Sequence, residues 1–410
     1  MLNIGLIREG KIPTDRRVPL SPKQCRLLLQ RYPQQVSIFV QPSTVRCFHD
    51  EEYIEAGIEL REDLSHCDIL LGIKEVPVNM LIPHKTYFFF SHTIKKQTHN
   101  RKLLKAIIEK NIKLIDYETL VDDKGERLIA FGWYAGLVGA YNALWMYGKK
   151  YKLFEMKRAF QCFDKFEMFD ELKKVKLPPI KIALTGGGRV ANGAIELLDK
   201  AIIKKVSVKD YLQINDFQEA VYTQLRSSDY HAHQKGKAFD SEEFYQYPSH
   251  FVSTFSQYYP ITDLLIACAY WHPDAPLLFT KEEMRKKDFR IKSVADITCD
   301  VDGSIPCTQQ STDILEPTFD YNPISEQVES AMSNSSNITV MAIDNLPTEL
   351  PRDASAHFGA VLMENILPHL FVGDKEGVIQ RATIAENKRL THNFAYLQEY
   401  VEDKEYIQIA

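Results

Sequence analysis

The stretch 181–193, KIALTGGGRVANG, has the residue types and spacing of an anion cradle. Ile182, Ala183 and Leu184 read as a buried strand, and Ala194-Ile195-Glu196-Leu197-Leu198 as the start of an apolar helix. Between them Gly186, Gly188 and Ala191 fit G-x-G-x-x-G/A. The first glycine permits a tight turn, the second a close backbone approach to a pyrophosphate, and the small third residue close packing of helix on strand. A helix N-terminus at that point offers free N–H groups and the positive end of its dipole to phosphate. Val206-Ser207-Val208 reads as the following strand, and it ends at Asp210, about 20 residues past the turn. An acidic side chain there holds a ribose 2′-hydroxyl and repels a 2′-phosphate. The pattern therefore points to NAD, with NADP the open alternative. A glycine turn beside a surface aspartate would carry the same letters.

Three segments of the first half end in charge. Arg16-Arg17 stands before Val18-Pro19-Leu20-Ser21-Pro22. Gly72-Ile73-Lys74-Glu75-Val76-Pro77 closes an apolar run in Lys-Glu. Phe88–Lys95 (FFFSHTIK) closes an aromatic run in His92, with Lys95 one turn on. Ligands of open α/β sheets lie beyond the carboxyl ends of the strands, so Lys74 and His92 are expected to face one crevice. A lysine beside other cations or an apolar wall is acidified into the range of a general base. Histidine already titrates there, and arginine forks suit carboxylates. Taken singly, a solvated lysine and a hydrogen-bonded core histidine would look the same.

Alternating strand and helix patterns must position these residues. Strands are expected at 2–7, 36–40, 69–73, 87–90 and 113–116, with helices at 22–30, 50–56 and 98–109 between them. Such alternation implies a largely parallel sheet with helices on its faces. Phe131–Gly148, apolar with small residues, reads as a long helix bridging two domains, and residues 149–178 as amphipathic surface helices. A second alternating run covers 181–343, with strands at 206–208, 263–267, 293–297 and 338–343 and a polar excursion at 225–250. Helices are expected at 355–367 and 375–386. At 410 residues the chain exceeds one hydrophobic core. The expected fold is α/β, two Rossmann-like parallel-sheet domains with a cleft between them, one for nucleotide and one for substrate.

A net charge of −5 argues against nucleic acid or an acidic membrane as the main partner. No apolar stretch approaches the roughly 20 residues of a membrane helix, and Arg8 falls too early for a secretory segment. The seven cysteines lack C-x-x-C or metal-ligand spacing. Reduced thiols, a cytoplasmic location and no metal are the expectation; the oligomeric state is not readable. The lysine- and phenylalanine-rich 149–178 also carries Asp164, Glu167, Asp170 and Glu171, which disfavours a nucleic-acid patch.

The order R-V-P-L-S-P, G-I-K-E-V-P, F-S-H-T-I-K, A-F-G-W-Y-A-G and the glycine turn resembles the alanine dehydrogenase and transhydrogenase superfamily. More specifically it resembles its L-lysine-forming saccharopine dehydrogenases. Lys85–His92, Leu114–Glu118, Ala295–Ile305 and Asp344–Ser355 are most similar to the lysine–ketoglutarate reductase portion of bifunctional aminoadipic semialdehyde synthases. The resemblance implies an oxidoreductase that joins L-lysine and 2-oxoglutarate into saccharopine with a nicotinamide cofactor, or reverses this. It assigns Lys74 and His92 as the acid–base pair, the order of their roles being open. Arg17, Glu75, Lys95, Glu118, Arg127 and Phe131 would line the substrate site. Gly186, Gly188, Arg189, Asp210 and Asp344 would belong to the cofactor segment. The likeness to the reductase portions suggests NADPH, whereas Asp210 favours NAD. The implied organisation is a substrate domain at 1–135, completed by C-terminal helices from 350–410, and an NAD(P)-binding domain at 136–349. Alanine dehydrogenase shares the lysine and histidine and is the nearest alternative; a non-catalytic dinucleotide-binding protein is another.

Overall fold

The computed structural model describes residues 1–13 and 15–403. It comprises two compact units, Met1–Ala130 with the described chain from Pro351 onward, and Phe131–Leu350. Each is built on an eight-stranded sheet. The chain is α/β with two Rossmann-like sheets.

The first sheet starts with β1 (Leu2–Leu6), β2 (Val36–Val40), β3 (Glu59–Leu60), β4 (Ile69–Leu71), β5 (Thr86–Phe89) and β6 (Lys113–Asp116). All are parallel to their neighbours, in the order β3-β2-β1-β4-β5-β6. The central strands are apolar on both faces (Ile4, Leu70, Leu71, Phe88 and Phe89 are fully buried), as a sheet covered on both sides requires. Between them run α1 (Pro22–Arg31), α2 (Asp50–Glu55) and α3 (Arg101–Glu109). A Ser21–Gln24 capping box and Pro22 in the first turn start α1.

The second unit opens with α4 (Gly132–Tyr151), followed by α5 (Lys165–Glu171), β7 (Lys181–Thr185), α6 (Arg189–Lys200), β8 (Lys204–Lys205), α7 (Val208–Gln213) and β9 (Val221–Leu225). The excursion at 225–250 folds as α8 (Ser227–Tyr230), β10 (His231–His233) and α9 (Ser241–Gln246), and β10 pairs antiparallel with β11 (Phe251–Ser253). Then come β12 (Leu264–Ala267), β13 (Ser293–Asp296), β14 (Thr318–Asn322), β15 (Gln327–Glu329) and β16 (Ile338–Met341). The sheet order is β15-β14-β16-β13-β12-β7-β9-β8. Helices α4 and α6 touch backbone to backbone. A Cβ on Gly136 would stand 1.8 Å from the Val190 carbonyl oxygen, and one on Gly193 1.9 Å from that of Trp133.

Two strands then return to the first sheet. β17 (Thr383–Glu386) pairs antiparallel with β6, and β18 (Arg389–Leu390) with β17. The helix expected over 375–386 therefore stops at Ala382; Thr383-Ile384-Ala385 are buried as an added strand. Of the helices expected in 149–178 only α5 forms beyond short 3₁₀ turns, started by the Asp164 cap on Phe166 and Glu167 N–H. The strand expected at 206–208 is also absent. The edge strand is Lys204–Lys205, and Val208 already opens a helix capped by Ser207. Among the described residues no helix is long and apolar enough to cross a membrane.

Candidate active site

In the first unit the pairing of β4 with β5 continues past both strand ends. Gly72 N donates to Phe88 O, and Phe90 N to Ile73 O, each at 2.9 Å. This carries Glu75 alongside His92. Glu75 Oε1 lies 2.7 Å from His92 Nδ1, and Lys11 Nζ donates to both Glu75 oxygens at 2.8 and 2.7 Å. Desolvation pushes the Glu75 carboxyl up, but the His92 and Lys11 hydrogen bonds outweigh it and hold the group at about 2. A carboxylate at Nδ1 puts the ring proton there, so Nε2 of neutral His92 presents its lone pair. The His92 backbone is left-handed at φ +52°, a region uncommon outside glycine.

Lys74 stands one residue before Glu75, and its Nζ has no hydrogen-bond or ion-pair partner among the described residues. Desolvation and then the Arg17 charge lower its pKa, against partial compensation by Asp15 and Glu75. Arg17 is buried, with Nε on Asp15 Oδ1 at 3.0 Å and Nη2 on Asp15 Oδ2 at 2.6 Å. Desolvation of Asp15 is more than offset by Arg17, and the carboxyl is held below its ordinary range. Two of Arg17's donors thus face Asp15, and its charge acts on Lys74.

Lys95, Glu118 and Arg127 form a second group. Lys95 Nζ and Arg127 Nη1 lie 3.5 and 3.9 Å from Glu118 Oε1. Glu118 Oε2 is buried without a hydrogen-bond partner among the described residues. Phe90 links the two groups: its ring stacks on His92 at 6.3 Å, and the Arg127 guanidinium sits over it at 5.5 Å. Phe131 belongs to the second unit, where it precedes the first turn of α4.

In the second unit β7 runs into Gly186 at φ +105°, where a Cβ would press on the Cys268 backbone at 3.0 Å. Gly186 N donates to Leu225 O at 2.8 Å, tying the turn to the end of β9. At Gly188, the N-cap of α6, nothing lies within 4 Å of where a Cβ would stand, and no side chain caps the helix. An uncapped helix start after an exposed glycine is the arrangement that cradles a phosphate. Ala191 is buried where α6 leaves the turn. Beyond the carboxyl ends of β7, β9 and β12 lies a small concave pocket, with about 60 Å³ of enclosed space, bordered by Thr185, Ser227, Tyr230, Tyr245, Ala267 and Tyr270. This is where an open α/β sheet takes a nucleotide, and the glycine turn after Thr185 with the uncapped start of α6 fits its phosphates.

Asp210 is not at the end of a strand. It lies within α7, exposed, bonded to the Ser207 hydroxyl at 2.8 Å through its carboxylate and 3.0 Å through its N–H. β7 lies between β12 and β9, and Arg226 follows the carboxyl end of β9, the Arg226 Cγ lying 4.0 Å from where a Cβ of Gly187 would stand. Asp344 is exposed past the end of β16, the third strand from β7.

The alanine dehydrogenase/PNT N-terminal domain family matches residues 5–138. An alpha-aminoadipic semialdehyde synthase of Arabidopsis thaliana is 32% identical, over 96% of this chain and 41% of the relative. A saccharopine dehydrogenase [NAD(+), L-lysine-forming] of Yarrowia lipolytica is 24% identical over 88% of this chain and 90% of the relative. Residues 5–138 thus carry the alanine dehydrogenase/PNT N-terminal domain, and the chain is a homologue of aminoadipic semialdehyde synthases and saccharopine dehydrogenases. An L-alanine dehydrogenase structure shares the fold of this saccharopine dehydrogenase homologue, with a TM-score of 0.65, 16% identity, and 98% and 99% of the two chains covered. The chain spans less than half the length of the semialdehyde synthases it matches.

Sequence reasoning passed over Glu9, Lys11, Asp15 and Arg226. The first three lie on a loop with no periodicity. Arg226 had a usable signal, because Val221-Tyr222-Thr223 is β-branched and aromatic and ends at Arg-Ser-Ser. One metal-ligating group converges among the described residues: His233, Glu243 and His250. Lys235 N donates to His233 Nδ1 at 2.9 Å, which leaves the ring proton on Nε2, 3.2 Å from Glu243 Oε1. A metal at Nε2 would set two donors against each other, so the trio serves as a hydrogen-bonded clasp of the hairpin.

Proposed function

We propose that this protein interconverts saccharopine with L-lysine and 2-oxoglutarate by hydride transfer, using NAD(H). The observation that carries the reading is the Lys11–Glu75–His92 chain beside a Lys74 of lowered pKa, set at the ends of adjacent parallel strands. The relatives' names agree with it. The first unit would hold the substrates and the second the nucleotide.

Bound nicotinamide supplies the hydride donor or acceptor. In the oxidative direction Lys74, as the free amine, takes the proton from the secondary ammonium of saccharopine, and the freed lone pair drives hydride loss from the adjacent carbon. His92 Nε2 then takes a proton from the water that adds to the imine, returns it to the nitrogen of the carbinolamine, and takes the hydroxyl proton as the C–N bond breaks and lysine leaves. Glu75 keeps the proton on Nδ1 throughout. Proton transfers of this kind contribute about 10²–10⁴-fold each. The partnerless Glu118 Oε2 suits the ammonium group of lysine. Arg127, Lys95 and the charge of Arg17 would balance the substrate carboxylates. On the nucleotide side, the amides of Arg189 and Ala191 above Gly186 and Gly188 would bind the pyrophosphate, with Asp344 at the far strand end.

One observation favours a second reading of the cofactor. The residue that follows β9, which pairs with β7, is Arg226, not an acid, and an arginine there accommodates the 2′-phosphate of NADP(H). Initial rates at 340 nm with L-lysine, 2-oxoglutarate and NADH or NADPH test both statements. Oxidation of the nucleotide is expected to require L-lysine and 2-oxoglutarate together. Activity with pyruvate and ammonia instead would make the chain an alanine dehydrogenase.

A further inference from the structure

We propose that Glu9 is a positioning residue for Lys74: its carboxylate grips the backbone N–H groups of Ile73 and Lys74 and so fixes where the lysine amine stands. The inference rests on the proton-transfer role given to Lys74 above.

Glu9 follows β1, the strand beside β4. Its Oε1 accepts from Ile73 N at 2.7 Å and its Oε2 from Lys74 N at 2.9 Å. Both amides lie just past the end of β4, where the ladder no longer takes them. One carboxylate on two successive amides restrains the dihedrals of both residues, and with them the direction of the Lys74 Cα–Cβ bond. The preceding residue is glycine, and a Cβ there would stand 2.8 Å from Ile7 and 3.5 Å from the Glu9 carboxylate. The groups facing Glu9 are Asp15 and Arg17 on its own loop, Lys74, and Tyr117 beyond β6; Lys11, Glu75 and His92 lie next to these. Desolvation and then Asp15 push the Glu9 carboxyl up to about 8. The grip is therefore strongest on the alkaline side, where both oxygens are full acceptors.

Glu9→Gln keeps the shape but turns an NH₂ toward one of the two amides. Loosening the turn lets the Lys74 amine move toward water and away from Arg17, which raises its titration midpoint. Mere loss of a negative charge would lower it, so the sign separates positioning from simple electrostatics. The measurement is a ¹³C NMR titration of the full chain after reductive ¹³C-methylation, with Lys74 assigned by the signal missing from Lys74→Arg. The midpoint is expected to rise by about half a pH unit or more in Glu9→Gln. The kcat should fall about 10- to 100-fold near pH 9 with nucleotide affinity unchanged, the gap narrowing as the pH drops below about 8. Glu9→Asp keeps the charge but lacks the reach, and is expected to give the same rise if the glutamine variant does not fold. An unchanged or lowered midpoint in a folded variant overturns the proposal. The titration needs no turnover, so an inactive wild-type enzyme would sink the proposed reaction while the role of Glu9 is still read.

Discussion

Alanine at Gly188 and at Gly193 should have opposite effects, although the two glycines share one helix. Gly188 has φ −90° and ψ −163°, extended backbone open to any residue, and free space where its Cβ would go. The fold should accept Gly188→Ala, and the less flexible unfolded chain adds about 0.4–1 kcal/mol. The new methyl nevertheless stands where the backbone must approach a phosphate. Each charge-assisted hydrogen bond lost from the first-turn amides costs about 1.5–3 kcal/mol, or roughly 10- to 150-fold in Kd. At Gly193 the methyl would meet the Trp133 carbonyl at 1.9 Å and Leu137 N at 2.9 Å, so α4 and α6 must part by about an ångström or more. Overpacking costs about 1–3 kcal/mol, and backbone pressed on backbone belongs at the top of that range. For a unit of this size Tm should fall by roughly 6–12 °C. Calorimetry gives Tm, and fluorescence titration with NADH and NADPH gives Kd. Gly188→Ala is expected to hold its Tm and lose nucleotide affinity. If it binds both nucleotides like the wild type, the phosphate does not sit over this turn and the nucleotide site is misplaced.

Lys74→Met and His92→Gln should each lose kcat by about 10²–10⁴-fold with nucleotide Kd unchanged; steady-state kinetics showing full turnover in both would remove the acid–base assignment. Arg226→Ala should lower kcat/KM for NADPH relative to NADH by about tenfold, less at high salt, and an unmoved ratio would remove the 2′-phosphate reading. Asp15→Asn takes away a charge that raises the Lys74 pKa, so the rise of the oxidative rate with pH should shift to lower pH. Asp15 is held below its ordinary range, so its contribution to stability is present above about pH 4 and lost only as the pH falls through the lower native value. Asp15→Asn should forfeit about 3 kcal/mol at neutral pH in denaturant unfolding, and an unchanged midpoint would discount the Asp15–Arg17 pair.

Lys74, Glu75 and His92 were legible because each ends an apolar run, and a parallel sheet brings consecutive strand ends to one edge. Their wiring was not, since Lys11 and Asp15 come from a loop whose path follows no hydrophobic period. The glycine turn was legible for a similar reason: φ +105° at Gly186 demands that residue. Gly136 and Gly193 were invisible as a pair, because a backbone contact between two helices leaves no local pattern in either. Val206-Ser207-Val208 has strand letters, yet Ser207 caps α7 with its hydroxyl, and that bond decided the local structure. Thr383–Glu386 continues a helical pattern and becomes a strand because β6 offers it an edge.

The sequence by itself determined the α/β class, the anion-binding turn and the charged strand ends, since each follows from local periodicity or from a backbone conformation that one residue type permits. Only the tertiary structure decided which strand lies beside the turn. Chain order would have put β8 there; instead the longer, largely buried β9 takes the interior position and the exposed lysines of β8 are left at the edge. Neighbours in a sheet are chosen by how much apolar surface each strand can bury, not by succession along the chain. That choice put an arginine, not an aspartate, after the strand that lies beside the turn.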